Sequence, residues 1–164
     1  MATNTFQSSL VQYAGFTGTT GGIYIPTQVA GGAGGLQLAG TTGIGLTDTV
    51  EIAVPSTAKS VVVMVRDLDL VAGSISVFLE SASAGFGAEI TPPPGDEANN
   101  QVLVQAYSAD SIVWVGSMEV GLVNGTTDAK TEMMAGSCLS PITKVVLKNV
   151  SSDFSAGTIW VFWQ

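Results

Sequence analysis

The chain has no histidine and one cysteine, and only 11% of its 164 residues are charged. Lacking histidine, it lacks the usual general base near neutral pH and the commonest metal ligand. Cys138 has no partner for an internal disulfide, so packing has to hold the fold, and a reducing compartment is the expected setting. Five Lys and Arg stand against thirteen Asp and Glu, a formal net charge of -8. That balance argues against nucleic acid, which needs cations to displace counterions from phosphate, and against anionic membrane surfaces. No stretch approaches the ~20 apolar residues of a membrane span. Met1-Ala2-Thr3-Asn4-Thr5 lacks the cationic start and apolar run of a signal peptide, so export by a cleavable leader is not expected.

Charge at 11% is well under the roughly 25% of an ordinary soluble domain, while 46% of residues are hydrophobic. The polar surface therefore consists mainly of Ser, Thr, Asn, Gln and Gly, which shed water more readily than ions when another chain covers them. Charge is also unevenly placed. Residues 1–47 carry none, and eleven of the twenty glycines fall between Gly15 and Gly45. Short apolar alternations, Ile23-Tyr24-Ile25 and Leu36-Gln37-Leu38, interrupt this glycine-rich stretch. The expected organisation is an extended glycine-rich N-terminal arm with first strands over 1–47, and one β-sandwich domain over 48–164.

From Thr49 onward the apolar period is two. Val50, Ile52 and Val54 alternate with Thr49, Glu51 and Ala53, and Ile75, Val77 and Leu79 alternate with polar neighbours. Ser60 to Arg66 contains Val61-Val62-Val63-Met64-Val65, a run suited to a strand covered on both faces. Val102–Tyr107, Ile112–Val115 and Met118–Val123 predict three further strands, with a hairpin signal at Asn124-Gly125. Thr143–Lys148 and Thr158–Trp163 predict the last two, separated by a polar turn over 149–157. Pro92-Pro93-Pro94-Gly95-Asp96-Glu97 predicts a loop. No window carries a helical apolar stripe. About eight to ten short strands predict an all-β, antiparallel β-sandwich, jelly-roll-like in connection.

Few residues invite chemistry. Asp67 and Asp69 share a strand face and could bind Ca²⁺ or exchange protons, but no third ligand is near in sequence, and an exposed strand end is the simpler reading. Asp96-Glu97 reads as a solvated loop tip. Cys138 has no histidine to activate it and reads as a structural thiol. The glycine pairs lack the Gly-Lys-Ser/Thr of a phosphate loop. The sequons at Asn124 and Asn149 read as chance without a leader. No catalytic residue, metal site or cofactor is expected, and the chain reads as not an enzyme.

The aromatics carry more. Trp160, Phe162 and Trp163 crowd the end of the chain and make both faces of the last strand apolar. One face can fill the sandwich core; the other must meet a second layer, a subunit or a ligand. In the arm, Phe6, Leu10, Tyr13 and Phe16 are the anchors available for a contact with another chain. These seven residues are the candidate partner-binding set.

The segments Ile142–Leu147 and Ser151–Phe162, the second containing Phe154 and Gly157, resemble the closing hairpin of tailed-bacteriophage virion jelly rolls: an apolar strand, a polar turn with an aromatic and a glycine, then a terminal strand. The likeness covers about the last 25 residues, and the chain departs from it by ending in Trp163-Gln164 rather than a small residue. It implies a virion surface component made in the host cytoplasm, a capsid decoration (cement) protein or a fibre module. It further implies a homo-oligomer, usually a trimer, bound to the major capsid protein or other virion subunits. The alternatives are a glycan-binding module of a tail fibre, with Trp114, Trp160 or Trp163 as a stacking platform, and a carboxylate glycosidase.

Ordering a glycine-rich arm costs on the order of 1–2 kcal/mol per residue in backbone entropy. The arm's apolar runs are too short to offset that on one domain's own surface. Deleting residues 2–20 should therefore leave the far-UV spectrum and melt of a folded sandwich but abolish assembly with its particle. Undiminished particle binding by the truncated chain would show that the arm is not the clamp.

Overall fold

The computed structural model describes residues 35–82, 84–92, 98–121 and 129–164. Those residues form ten strands and no helix: β1 (Gln37–Ile44), β2 (Thr49–Ala53), β3 (Ser60–Leu70), β4 (Ile75–Glu80), β5 (Gly85–Ile90), β6 (Asn100–Ser108), β7 (Val113–Gly121), β8 (Lys130–Ser137), β9 (Lys144–Asn149) and β10 (Phe154–Trp163). They make two antiparallel sheets, one of six strands in the order β1-β10-β3-β6-β7-β8 and one of four in the order β2-β9-β4-β5. The chain is an all-β sandwich, as its period-two pattern predicts.

Alternation along each strand sends one set of side chains between the sheets. Val61, Val63 and Val65 of β3, Val102, Val104 and Ala106 of β6, and Ile159 and Val161 of β10 meet Ile75, Val77 and Leu79 of β4 and Val145 and Leu147 of β9 in one core. Trp114 of β7 and Phe154 of β10 are fully buried in it. Glycines bring the two sheets together at both flanks. Phe86 of β5 lies on Gly136 of β8, where a Cβ would come within 2.5 Å of the ring. At the other flank Gly40 of β1 leaves room for Ile52 of β2.

Several elements differ from the sequence expectation, each for a local reason. Residues 112–123 predict two strands, whereas Val113–Gly121 forms one, β7, because Gly116 lies against β6 where a Cβ would run into Gln105 and Ala106. The strand expected over 60–66 continues to Leu70 through a bulge between Val65 and Leu68, with Asp67 at φ 51°. The turn expected over 149–157 spans only 150–153, and β10 starts at Phe154 and passes a second irregularity at Gly157, φ 146°. β5 and β8 escape the pattern because Gly85, Gly87 and Gly136 are poor strand formers whose neighbours come from other strands: Glu80 at Gly85, Phe78 at Gly87 and Phe86 at Gly136. Gln37–Ile44, within the stretch read as arm and first strands, pairs along β10 as a strand of the six-stranded sheet. The Pro93–Glu97 run and Asn124-Gly125 lie outside the described residues, and the strands flanking Asn124-Gly125, β7 and β8, pair antiparallel.

At one end of the sandwich Asn149, 1% exposed, donates its side-chain amide to Ala72 O (2.7 Å) and Asp153 O (3.1 Å) and so ties the β3–β4 and β9–β10 connections together. An amide spent this way is closed to glycosylation.

Trp114 tests the core. Its Nε1 is buried with no hydrogen-bond partner among the described residues, so its contribution is its volume. Trp114→Ala should cost about 3–5 kcal/mol by denaturant unfolding. Trp114→Phe, which also removes the unpaired N–H, should cost clearly less. Equal losses in the two variants would contradict this packing.

Candidate functional site

The outward faces of the two sheets differ in kind. On the four-stranded sheet the side-by-side rows are Thr49-Lys148-Ser76-Glu89, Glu51-Val146-Phe78-Gly87 and Ala53-Lys144-Glu80-Gly85. Charges of both signs are interleaved there. Lys144 Nζ lies 2.7 Å from Glu51 Oε1 and 3.3 Å from Glu80 Oε2, and the hydrogen bond to Glu51, more than that to Glu80, holds its amine above the usual lysine value. This is the pattern of a sheet face that meets water.

The six-stranded sheet presents a different surface. One row runs unbroken across all six strands: Leu38, Phe162, Val62, Gln105, Ser117, Met133. Beside it run Thr41, Trp160, Met64, Leu103, Glu119, Thr131, and at the near end Ser60, Tyr107, Val115, Ala135. Glu119 is the one charged side chain in the three rows. Val62 and Met64 point away from the core yet are buried, with Phe162 and Trp160 beside them. Farther along, over β6–β8, the apolar side chains are open: Val113 and Val115 are more than half exposed and Met133 is 76% exposed. Tyr107 is partly desolvated there, which pushes its phenol above the usual value of 10.0.

The site residues expected from sequence divide accordingly. Trp160 and Phe162 lie on this outer face, half-buried. Trp163 pairs beside Val61 and packs toward the core, so it faces the opposite way from Trp160. Trp114 is enclosed in the core, which corrects its candidacy as a sugar platform: no ligand reaches a ring with no exposed surface. Phe6, Leu10, Tyr13 and Phe16 lie outside the described residues. Cys138 is buried, its Sγ 3.6 Å from Ala84 O, consistent with a structural thiol. Asp69 is committed to the fold, accepting the Asn99 N–H at 2.6 Å. Among the described residues no group of three His, Cys, Asp or Glu is placed to hold a metal.

Tyr107, Val113, Val115 and Met133 were not singled out by sequence. The signal was present in Ile112–Val115, where apolar residues occupy both strand faces as they do in Thr158–Trp163, and in the Met133-Met134 doublet, which sends one side chain to each side. No family model matches the chain. No curated protein matches it either.

The open end of this face is shaped by the β6–β7 connection. Asp110 Oδ1 accepts the backbone N–H groups of Ile112 and Val113, each at 2.8 Å, while Ser108 Oγ accepts that of Ser111 at 2.8 Å. The Val113 bond, then that from Ile112, holds the Asp110 carboxyl below the usual aspartate range. A carboxyl depressed in the folded state contributes stability above its unfolded pKa of about 3.9, and that contribution is lost as pH falls through the depressed value. Asp110→Ala should thus lower the melting temperature at pH 7 and flatten the acid limb of the melting-temperature profile below about pH 4. Superimposable acid limbs for the two proteins would show that the turn is held by other means.

Proposed function

We propose that this chain is a structural virion protein, a capsid decoration (cement) protein that binds and stabilises neighbouring capsid subunits through the outer face of its six-stranded sheet. The observation that carries the reading is the contrast between the two outward faces, one with charges of both signs in which Lys144 bridges Glu51 and Glu80, and one apolar with a single charge across three rows. A sheet face of the second kind is what an obligate or long-lived contact buries. The connection of the strands supports the same reading. β1-β10-β3-β6 opposed to β2-β9-β4-β5 is the order of a jelly roll, an architecture common in capsid and lectin domains, and the β7–β8 hairpin widens the first sheet. The C-terminal resemblance to phage virion hairpins falls on β9 and β10, the second of which supplies Trp160 and Phe162 to the face. On this reading the protein is a homo-oligomer, expected to be a trimer, it acts on the virion surface, and it catalyses nothing.

The tail-fibre glycan reading asks for neighbouring coplanar tryptophans. Trp114 in the core and the opposite orientations of Trp160 and Trp163 weigh against it.

The test uses the purified full chain and virus particles that lack it. Added protein should co-sediment with the particles and raise the temperature at which they release their contents. Trp160→Ser should weaken binding roughly tenfold or more with the chain's own melt little changed. Should that variant unfold, Leu38→Glu, on the exposed edge of the neighbouring row of the same face, makes the same cut. Failure of the wild-type chain to bind any particle, or full binding by the folded variants, would overturn the proposal.

A further inference from the structure

The apolar face is continuous, but its two ends are unequal. At the β1 end, 34 residues of sequence precede Gly35, without a single charged side chain and with Phe6, Leu10, Tyr13 and Phe16 among them. At the β8 end lie the apolar side chains that this face leaves most open, Val113, Val115 and Met133, with Tyr107 next to them. β1 and β8 are the two edges of the sheet, five strand spacings of about 4.8 Å apart, or ~24 Å. The root of the uncharged segment and the surface that most needs covering are therefore on opposite sides of the molecule.

We propose that the β6–β8 half of this face receives the N-terminal segment, residues 1–34, of a second copy of the chain. This deepens the assembly reading above and rests on it.

Three observations select that occupant. Its chemistry matches, because an uncharged segment loses little hydration when laid on a face whose three rows hold one carboxylate. Its reach suffices, because 34 extended residues span ~110 Å against a sheet ~24 Å wide. Its root is in the right place for exchange between neighbours: a donor at one edge and an acceptor at the other make a head-to-tail contact. A contact of that kind cannot be isologous, and it closes into a ring when the rotation allows. A chain packed with its β1 edge toward the β8 edge of the next would pass its segment directly onto the open patch. Glycines stand at 31, 32, 34 and 35, just before β1, and glycine admits a wider range of backbone directions than other residues. In a ring each copy donates once and accepts once, so every apolar patch is covered and no copy is left with a free end.

The experiment needs no particle, so its outcome is independent of whether the chain binds a capsid. Val115→Cys in a Cys138→Ala background is labelled with a benzophenone photo-crosslinker. Equal amounts of ordinary and ¹⁵N-labelled chain are unfolded together, refolded and irradiated, and the crosslinked peptides are sorted by isotope. The expected result is crosslinks from position 115 to peptides within residues 1–34, with about half of the pairs mixed in isotope, as random exchange in a ring requires. Met133→Asp combined with Val115→Asp should in parallel convert the ring to monomers in light scattering while keeping the sandwich melt. Crosslinks to residues 1–34 with only like isotopes would mean that the segment folds back on its own chain and would overturn the proposal. So would crosslinks to other parts of the chain alone, or a wild-type protein that stays monomeric at high concentration. Particle binding by a chain that fails this test would leave the decoration reading intact; exchange by a chain that binds no particle would do the reverse.

Discussion

A strand with apolar side chains on both faces must be covered on both faces, and β3 imposes that requirement on the rest of the molecule. Val61, Val63 and Val65 turn inward and Val62 and Met64 outward, and all five are buried. The inward set is met by the four-stranded sheet. The outward set lies among Phe162 and Trp160 of β10 and Leu103 of β6, which extends an apolar surface over a sheet face that in most antiparallel sandwiches would be wet. β3 sits between β10 and β6 near the middle of its sheet, so this surface cannot be confined to an edge.

The distribution of charge follows from the same requirement. With few ionised side chains in the chain, several are gathered on the outer face of the four-stranded sheet, where Lys144 bridges Glu51 and Glu80 across three strands. That face can stay in water as it is. The opposite face, apart from Glu119 and from Arg66 one row farther along β3, holds hydroxyls, amides and apolar groups, whose desolvation is cheap beside that of an ion. The proposed assembly role and the proposed exchange of N-terminal segments both grow from this difference between the two sides of one sandwich, together with the positions of the two edges of its larger sheet.

Glycine has two roles that composition alone does not separate. In the first 34 residues it is dense and uncharged sequence surrounds it. Within the sandwich it makes room at particular points: Gly136 for Phe86, Gly40 for Ile52, Gly116 for Ala106. The last group closes the two flanks and lets β7 run unbroken through a position where any side chain would push β6 away. Each of these glycines looks like a strand breaker until its neighbour from another strand is known.

Short strand patterns determined the fold class, because the faces of a strand are fixed by its own backbone: β2 and β4 lie where Val, Ile and Leu alternate, and β3, β6, β9 and β10 where short apolar runs stand between turn residues. The doubly apolar last strand was also legible, and with it the need for a layer outside the core. Which aromatic serves which side was not. Trp114, Trp160 and Trp163 are alike in composition, yet one is enclosed, one faces outward and one packs toward the core, since that depends on register across β10, β3 and β7. The open patch at Tyr107, Val113, Val115 and Met133 likewise exists only once β6, β7 and β8 are paired. Its residues are spread over 27 positions of sequence and become neighbours through hydrogen bonds between strands, which no local pattern encodes.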